Sequence, residues 1–272
     1  MTENKHILEL LWESIKASVP AGEAIMKVYE TDFTVDTKAD DSPLTRADME
    51  SHNTICKYLE ATAIPILSEE GKNIQYEERK DWSLFWLIDP LDGTKEFVNR
   101  NGEFTVNIAL IQNNYPIAGV IYIPVTDELF IGGPGFGARK INAVKNILLN
   151  MSSLDDLLSK GESIPQQAAR ELFTVVCSRS HMSPETEAFI NTLKKEHGEL
   201  EYASKGSSLK LCMVAEGKAD IYPRFAPTME WDTAAGQAIA ENSGAEVVQA
   251  ENGERLRYNK EDLLNPWFIV RR

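Results

Sequence analysis

An α+β half followed by an α/β half is the fold class this 272-residue sequence predicts. Three observations point there. Apolar residues recur at helical spacing near the amino terminus. Two apolar stretches flank an Asn113–Asn114 turn. Beyond position 171, strand-like and helix-like segments alternate.

The elements follow in order. Ile7, Leu11 and Ile15, with Leu8 beside them, form one apolar stripe of a first helix. Pro20 is expected to end or kink it, and Ala24, Ile25 and Val28 to resume it. Residues 31–43 read as a loop or weak hairpin. A second helix is expected from near Thr45, with Met49, Ile55 and Leu59 on one side. Ile-Pro-Ile-Leu-Ser (64–68) and Leu-Phe-Trp-Leu-Ile (84–88) are short and apolar, and each runs into acids. Residues 104–111 and 116–125 read as an antiparallel hairpin. Gly132 to Gly137 is turn-rich, and 143–170 shows no clear strand. The division expected is therefore 1–142, carrying most of the acids discussed below, and 143–272. In the second part, 172–177, 219–225, 246–248 and 266–270 read as strands. Ser183–Pro184 starts a helix, 207–217 is another, and 231–244 is a third closed by Gly244.

Acidic residues number 42 and basic ones 28, a formal net charge of −14. That balance excludes a phosphate-neutralising nucleic-acid binder and a polybasic membrane-surface protein. A hydrophobic content of 43% excludes disorder. Cys56, Cys177 and Cys212 are odd in number and far apart, which favours buried thiols and a reducing compartment. The amino terminus lacks a signal-peptide pattern, and no apolar run approaches the roughly 18 residues of a membrane span. A cytoplasmic protein, monomer or homodimer, is expected.

Four acids stand where strands end: Glu69, then Asp89 and Asp92 in Asp-Pro-Leu-Asp-Gly-Thr (89–94), and Asp232 in Trp-Asp-Thr-Ala-Ala-Gly (231–236). Pro90 is expected to turn the chain, so that two carboxylates three residues apart, with the Leu91 carbonyl between, converge on one point. Gly93 permits close ligand approach, and Thr94 opens a helix whose free N–H groups attract phosphate. Oxygen-only ligands favour Mg²⁺, Ca²⁺ or Mn²⁺ over zinc. Asp-Pro and Asp-Gly are also ordinary turn dipeptides, and Asp232 alone would suit any helix amino terminus. Thr45-Arg46-Ala47-Asp48 is a capping-box pattern.

Taken together, Ser-Glu-Glu (68–70), Trp-Leu-Ile-Asp-Pro-Leu-Asp-Gly-Thr (86–94) and Trp-Asp-Thr-Ala-Ala-Gly (231–236) resemble the inositol monophosphatase superfamily of Mg²⁺-dependent, lithium-sensitive phosphatases. Within it, Asp-Gly-Thr-Lys-Glu-Phe (92–97), residues 101–110, Ser-Arg-Ser-His (178–181), Gly-Ser-Ser-Leu-Lys (206–210) and Tyr-Pro-Arg-Phe (222–225) are similar to the 3′(2′),5′-bisphosphate nucleotidases of the bacterial CysQ type. The resemblance implies a layered αβαβα sandwich of the inositol monophosphatase / fructose-1,6-bisphosphatase type, with the site between its halves. It implies removal of the 3′-phosphate of adenosine 3′,5′-bisphosphate (PAP), with its sulfated relative PAPS as a further substrate, in sulfate assimilation.

Carried onto this chain, it makes Glu69, Asp89, the Leu91 carbonyl, Asp92 and Asp232 ligands of two or three Mg²⁺, with Asp89 bridging. Thr94 and Asp48 activate the water, and the Gly93 and Thr94 amides bind the phosphate that is cleaved. Asp48 thus has two readings, cap and catalyst. Lys210 and Arg224, with Ser207 and His181, are the candidates for the rest of the nucleotide. Residues 136–170 carry none of these motifs and read as a surface excursion. The rival readings are a phosphatase of the same fold for inositol or sugar monophosphates, and a non-catalytic nucleotide or metal sensor.

Overall fold

The structure, a computed structural model, describes residues 3–31, 43–166, 170–177 and 183–272. The amino-terminal apolar stripe becomes α1 (Glu3–Tyr29), one helix with Pro20 inside it. The expected break at Pro20 is not made. A proline there costs about 3 kcal/mol, but Ala17, Val19, Ala21 and Ile25 around it are all buried, and that packing holds the helix together. Ser18 Oγ donates to the Ile15 carbonyl in the same turn, at 2.9 Å.

After α2 (Pro43–Leu59) the chain runs through β1 (Ile66–Ser68), α3 (Tyr76–Arg79), β2 (Leu84–Asp92), α4 (Thr94–Val98), β3 (Thr105–Gln112) and β4 (Tyr115–Ile123). It continues through β5 (Glu128–Gly133), β6 (Gly137–Asn142), α5 (Val144–Leu148), α6 (Leu154–Leu158) and β7 (Glu162–Ile164). The second half contains β8 (Phe173–Val176), α7 (Pro184–His197), β9 (Leu200–Ala203), α8 (Leu209–Ala215), β10 (Ile221–Arg224), α9 (Glu230–Asn242), β11 (Glu246–Gln249) and β12 (Phe268–Arg271).

Strands β1 to β7 form one sheet in chain order, and β11-β12-β10-β8-β9 form a second. The first sheet is antiparallel except for the parallel β1–β2 pair. Asn113 and Asn114, at φ +50° and +68°, close the expected β3–β4 hairpin. The glycine-rich stretch read as turn-rich supplies the turn of the β5–β6 hairpin, between Gly133 and Gly137. Residues 143–170, expected to be strandless and superficial, hold β7, paired with β6. Val144, Leu154 and Leu157 there are buried in the first core. Strands of three or four residues, such as β7 and β9, are too short to show a period in sequence.

Side-chain alternation sorts five layers. Val106, Ile108 and Leu110 of β3 face α1 and α2. Ala109 and Ile111, one position on, face α8 and α9. On the far side of those helices, Val176 and Tyr222 of the second sheet close the same core. Val175 and Ile221 point the other way, onto Ile190 and Leu193 of α7. The order is helix, sheet, helix, sheet, helix, as the resemblance implied.

Helix α9 lies against the sheet backbone itself. Gly119 and Gly132 are cross-strand partners on β4 and β5. A Cβ on Gly119 would fall 2.5 Å from the Ala235 carbonyl, and one on Gly132 2.7 Å from Ile239 Cα. Ser183 caps α7 as expected, accepting from the Thr186 amide at 3.2 Å. Gly244, at φ +89°, ends α9. Its amide donates to Glu241 and that of Ala245 to Ala240, the two bonds of a Schellman ending. Cys177 and Cys212 are buried and Cys56 is half-buried. No helix among the described residues is long and apolar enough to cross a membrane.

Candidate active site

Strand β2 passes through Pro90 instead of turning away at it. Asp89 pairs with Asn107 and Asp92 with Thr105, so three steps on β2 face two on β3. The irregularity is a β-bulge, one of the few strand positions that tolerates a proline without an N–H. Ser51 Oγ of α2 donates to the Pro90 carbonyl at 2.8 Å. The Leu91 amide donates to Asp89 Oδ1 at 3.1 Å. Gly93, at φ +97°, then swings the chain into α4 with Thr94 as its first residue. Thr94 is exposed. The amides of that first turn have no intrahelical acceptor.

The bulge brings Asp89 and Asp92 to Asp232, third residue of α9. One carboxylate oxygen from each of the three lies within 4.8 Å of the others. Asp232 Oδ2 also accepts from the Met229 amide at 2.8 Å, so the acid caps its own helix. Glu69 follows β1, with its amide bonded to the Ile88 carbonyl at 3.2 Å. Asp232 thus caps its helix while standing beside Asp89 and Asp92.

Electrostatics show how closely these acids crowd. Burial, then Asp92, Glu69, Asp232 and Asp48, pushes the Asp89 carboxyl well above the usual range. Burial and the charge of Asp92 push Asp232 up to about 7. Burial, with the charges of Glu70 and Asp92, raises Glu69. Burial, then Glu70 and Glu69, pushes Asp48 up to about 8. Asp48 is only 8% exposed. Helix α2 begins at Pro43, two residues before Thr45, so Thr45 is not an N-cap and the capping-box reading of Asp48 is overturned.

Asp92, Gly93, Ser207, Lys210, Arg224 and Asp232 line one cavity of about 810 Å³. Lys210 Nζ donates to the Ser207 carbonyl at 3.1 Å. Burial pulls its pKa down, with Asp92 opposing and Arg224 adding to the fall. Arg224 donates from Nη2 to the Pro227 carbonyl at 3.1 Å, and its buried Nε has no partner. His181 lies outside the described residues.

Sequence reasoning missed the support beneath the acids. Thr105 and Asn107 are polar positions on a β3 face that is otherwise apolar, and both are at most 1% exposed. Glu230, fully buried, accepts from the Asn259 amide at 2.7 Å and from Lys260 Nζ at 2.5 Å, tying a loop to the head of α9. Polar residues in an apolar alternation were the one available signal for Thr105 and Asn107.

Three converging carboxylates, Asp89 buried and Asp92 and Asp232 half-buried, suit a hard divalent cation. The family model described as "Inositol monophosphatase family" matches residues 8–268. The chain belongs to the inositol monophosphatase family. Among family members it is 43% identical to the 3′(2′),5′-bisphosphate nucleotidase CysQ of Escherichia coli (strain K12), over 92% of this chain and 94% of that one. It is 32% identical to the CysQ nucleotidase of Haemophilus influenzae, over 99% and 94%. The crystal structure of CysQ from Bacteroides thetaiotaomicron superposes with a TM-score of 0.94 at 53% identity, covering 98% of each chain. An inositol monophosphatase from Zymomonas mobilis shares the fold, with a TM-score of 0.74 at 20% identity over 100% of this chain and 94% of that one. Divalent-metal dependence is typical of the family.

Proposed function

We propose that this chain is a Mg²⁺-dependent phosphatase that removes the 3′-phosphate of PAP, and also of PAPS, giving AMP from PAP. The observation that carries the proposal is the sharing of one cavity by Asp92 and Asp232 of the acid cluster with Lys210 and Arg224. A bisphosphate needs both: cation-binding acids for the ester that is cleaved and fixed basic groups for the second phosphate. The CysQ names of the relatives support the nucleotide as substrate.

Glu69, Asp89, Asp92, Asp232 and the Leu91 carbonyl would hold two or three Mg²⁺. Bound there, the ions would supply Lewis-acid charge to the phosphoryl group and acidify water. The chain's own residues do the rest. Asp48 takes the proton of the attacking water, with the Thr94 hydroxyl orienting that water. The water oxygen bonds to phosphorus, the P–O3′ bond breaks, and the leaving oxygen is protonated, giving phosphate and the nucleoside 5′-phosphate. The Gly93 and Thr94 amides bind the phosphoryl oxygens. Lys210 and Arg224 hold the second phosphate, with His181 at the nucleoside. On this reading residues 1–142 contribute most of the metal ligands, and 143–272 contribute Asp232 and the nucleotide contacts. Three cysteines, odd in number and far apart in sequence, suit a reducing cytoplasm.

The test is phosphate release from PAP, PAPS, AMP and inositol 1-phosphate, with and without Mg²⁺. The expected result is Mg²⁺-dependent release from PAP and little from AMP. A preference for inositol 1-phosphate would overturn the nucleotide reading. Nucleotide binding without release from any ester would leave a sensor instead.

A further inference from the structure

Asp92 Oδ2 is saturated by the protein. It accepts from Ser207 Oγ at 2.5 Å, from the Ser208 amide at 2.6 Å and from Asn107 Nδ2 at 3.2 Å. A carboxylate oxygen has two lone-pair directions, so three donors leave it no room for another ligand. Oδ1 has no such bond among the described residues. Only that oxygen is available to a cation shared with Asp89 and Asp232.

The donors to Oδ2 are themselves held by one residue. Thr105 Oγ1 lies 2.7 Å from Ser207 Oγ, 2.9 Å from Ser208 Oγ and 3.0 Å from Asn107 Oδ1. Ser208 Oγ also donates to Asn107 Oδ1, at 2.9 Å. The Ser207 proton is committed to Asp92, so Ser207 offers Thr105 a lone pair only. The single Thr105 proton goes to Asn107 Oδ1, which turns Asn107 Nδ2 toward Asp92 and gives a one-way chain, Thr105 to Asn107 to Asp92. Two further bonds fasten the loop that carries the serines: Glu103 accepts from Lys205 Nζ at 2.9 Å and from the Gly206 amide at 2.7 Å. Ser207 stands at φ +53°, a backbone conformation these bonds sustain.

We propose that Thr105 is a positioning residue for the cation site. Through Ser207, Ser208 and Asn107 it fixes the Asp92 carboxylate with Oδ2 toward the protein and Oδ1 toward Asp89 and Asp232. Ser207 then serves Asp92 rather than the nucleotide. The inference rests on the phosphatase reading for its activity readout, while its metal-binding readout stands apart from that reading. Partners behind a metal ligand characteristically govern affinity by about 10–100-fold.

The experiment is Mn²⁺ titration of the full chain, followed by electron paramagnetic resonance, with thermal melts of the metal-free proteins alongside. Thr105→Val keeps the shape and removes the hydroxyl. It is expected to weaken Mn²⁺ binding about 10–100-fold, and Thr105→Ser to restore it. Should Thr105→Val not fold, Ser207→Ala on the loop removes a direct donor to the same Asp92 oxygen. Ser207→Ala is expected to weaken Mn²⁺ binding while the KM for PAP at saturating metal stays near that of the wild type. Metal binding within twofold of wild type in the folded variants would overturn the inference, as would a raised KM in Ser207→Ala with metal binding intact. Wild type that binds Mn²⁺ but releases no phosphate from PAP would overturn the phosphatase reading alone. Wild type that binds no Mn²⁺ would overturn both.

Discussion

At Asp48, charge and position pull in one direction. The carboxyl is buried beside Glu69 and Glu70, and its proton is held up to about pH 8. Asp48→Asn keeps the shape and removes the base. Turnover of PAP is expected to fall at least roughly a hundredfold. The melting temperature of the metal-free variant should equal or exceed that of the wild type at pH 8, because a disfavoured buried charge is gone. Steady-state kinetics and thermal melts check the two halves of this expectation separately. At the other end of the cavity, Lys210→Ala should raise the KM for PAP about tenfold or more, the worth of a charged hydrogen bond. The KM for 3′-AMP, which lacks the second phosphate, should change little. Equal effects on both substrates would place Lys210 at the phosphate that is cleaved.

Helix α9 shows what an element contributes. It carries Asp232 and sits between the two sheets, with its backbone against glycines of β4 and β5. Gly119→Ala puts a methyl 2.5 Å from the Ala235 carbonyl. Helix and sheet must part, at a cost of about 1–3 kcal/mol, and Asp232 moves with them. Chemical denaturation should show the loss, and Mg²⁺ affinity should fall with it. The helix itself was legible in sequence, as was the Asp89–Thr94 string, because caps, glycines and a proline act within a few residues. Pro20 misled because burial of Ala17 and Ala21 outweighs a local penalty that sequence alone displays. Thr105 stayed hidden for a different reason. Its partner Ser207 is 102 residues away, and only the packing of the two sheets brings them together.

The whole molecule stores the repulsion of these acids when no cation is bound. Asp48 and Asp232 have pKa values of about 8 and about 7, above their ordinary value of 3.8. Between the unfolded and folded pKa the native state binds protons that the unfolded chain has released. Stability is therefore full below about pH 4 for these groups and falls as pH rises toward 8. The metal-free protein should melt progressively lower between pH 5.5 and 8. Added Mg²⁺ is expected to bind the native state and to stabilise it more at pH 8 than at pH 5.5. A stabilisation independent of pH would show that the cation does not engage these carboxylates.

The place of α9 in the chain sets an order of events during synthesis. One face of the first sheet, with Ala109, Ile111, Ile121 and Phe130, is covered by residues from α8 and α9. Those helices begin only at Leu209 and Glu230. A growing chain that leaves the ribosome amino terminus first has finished β1 to β7 long before it can cover that face. The nascent first half therefore waits with apolar surface open to water, a surface that holdase chaperones recognise. It also waits without Asp232, so on the proposed reading a partly made chain lacks one of its cation ligands.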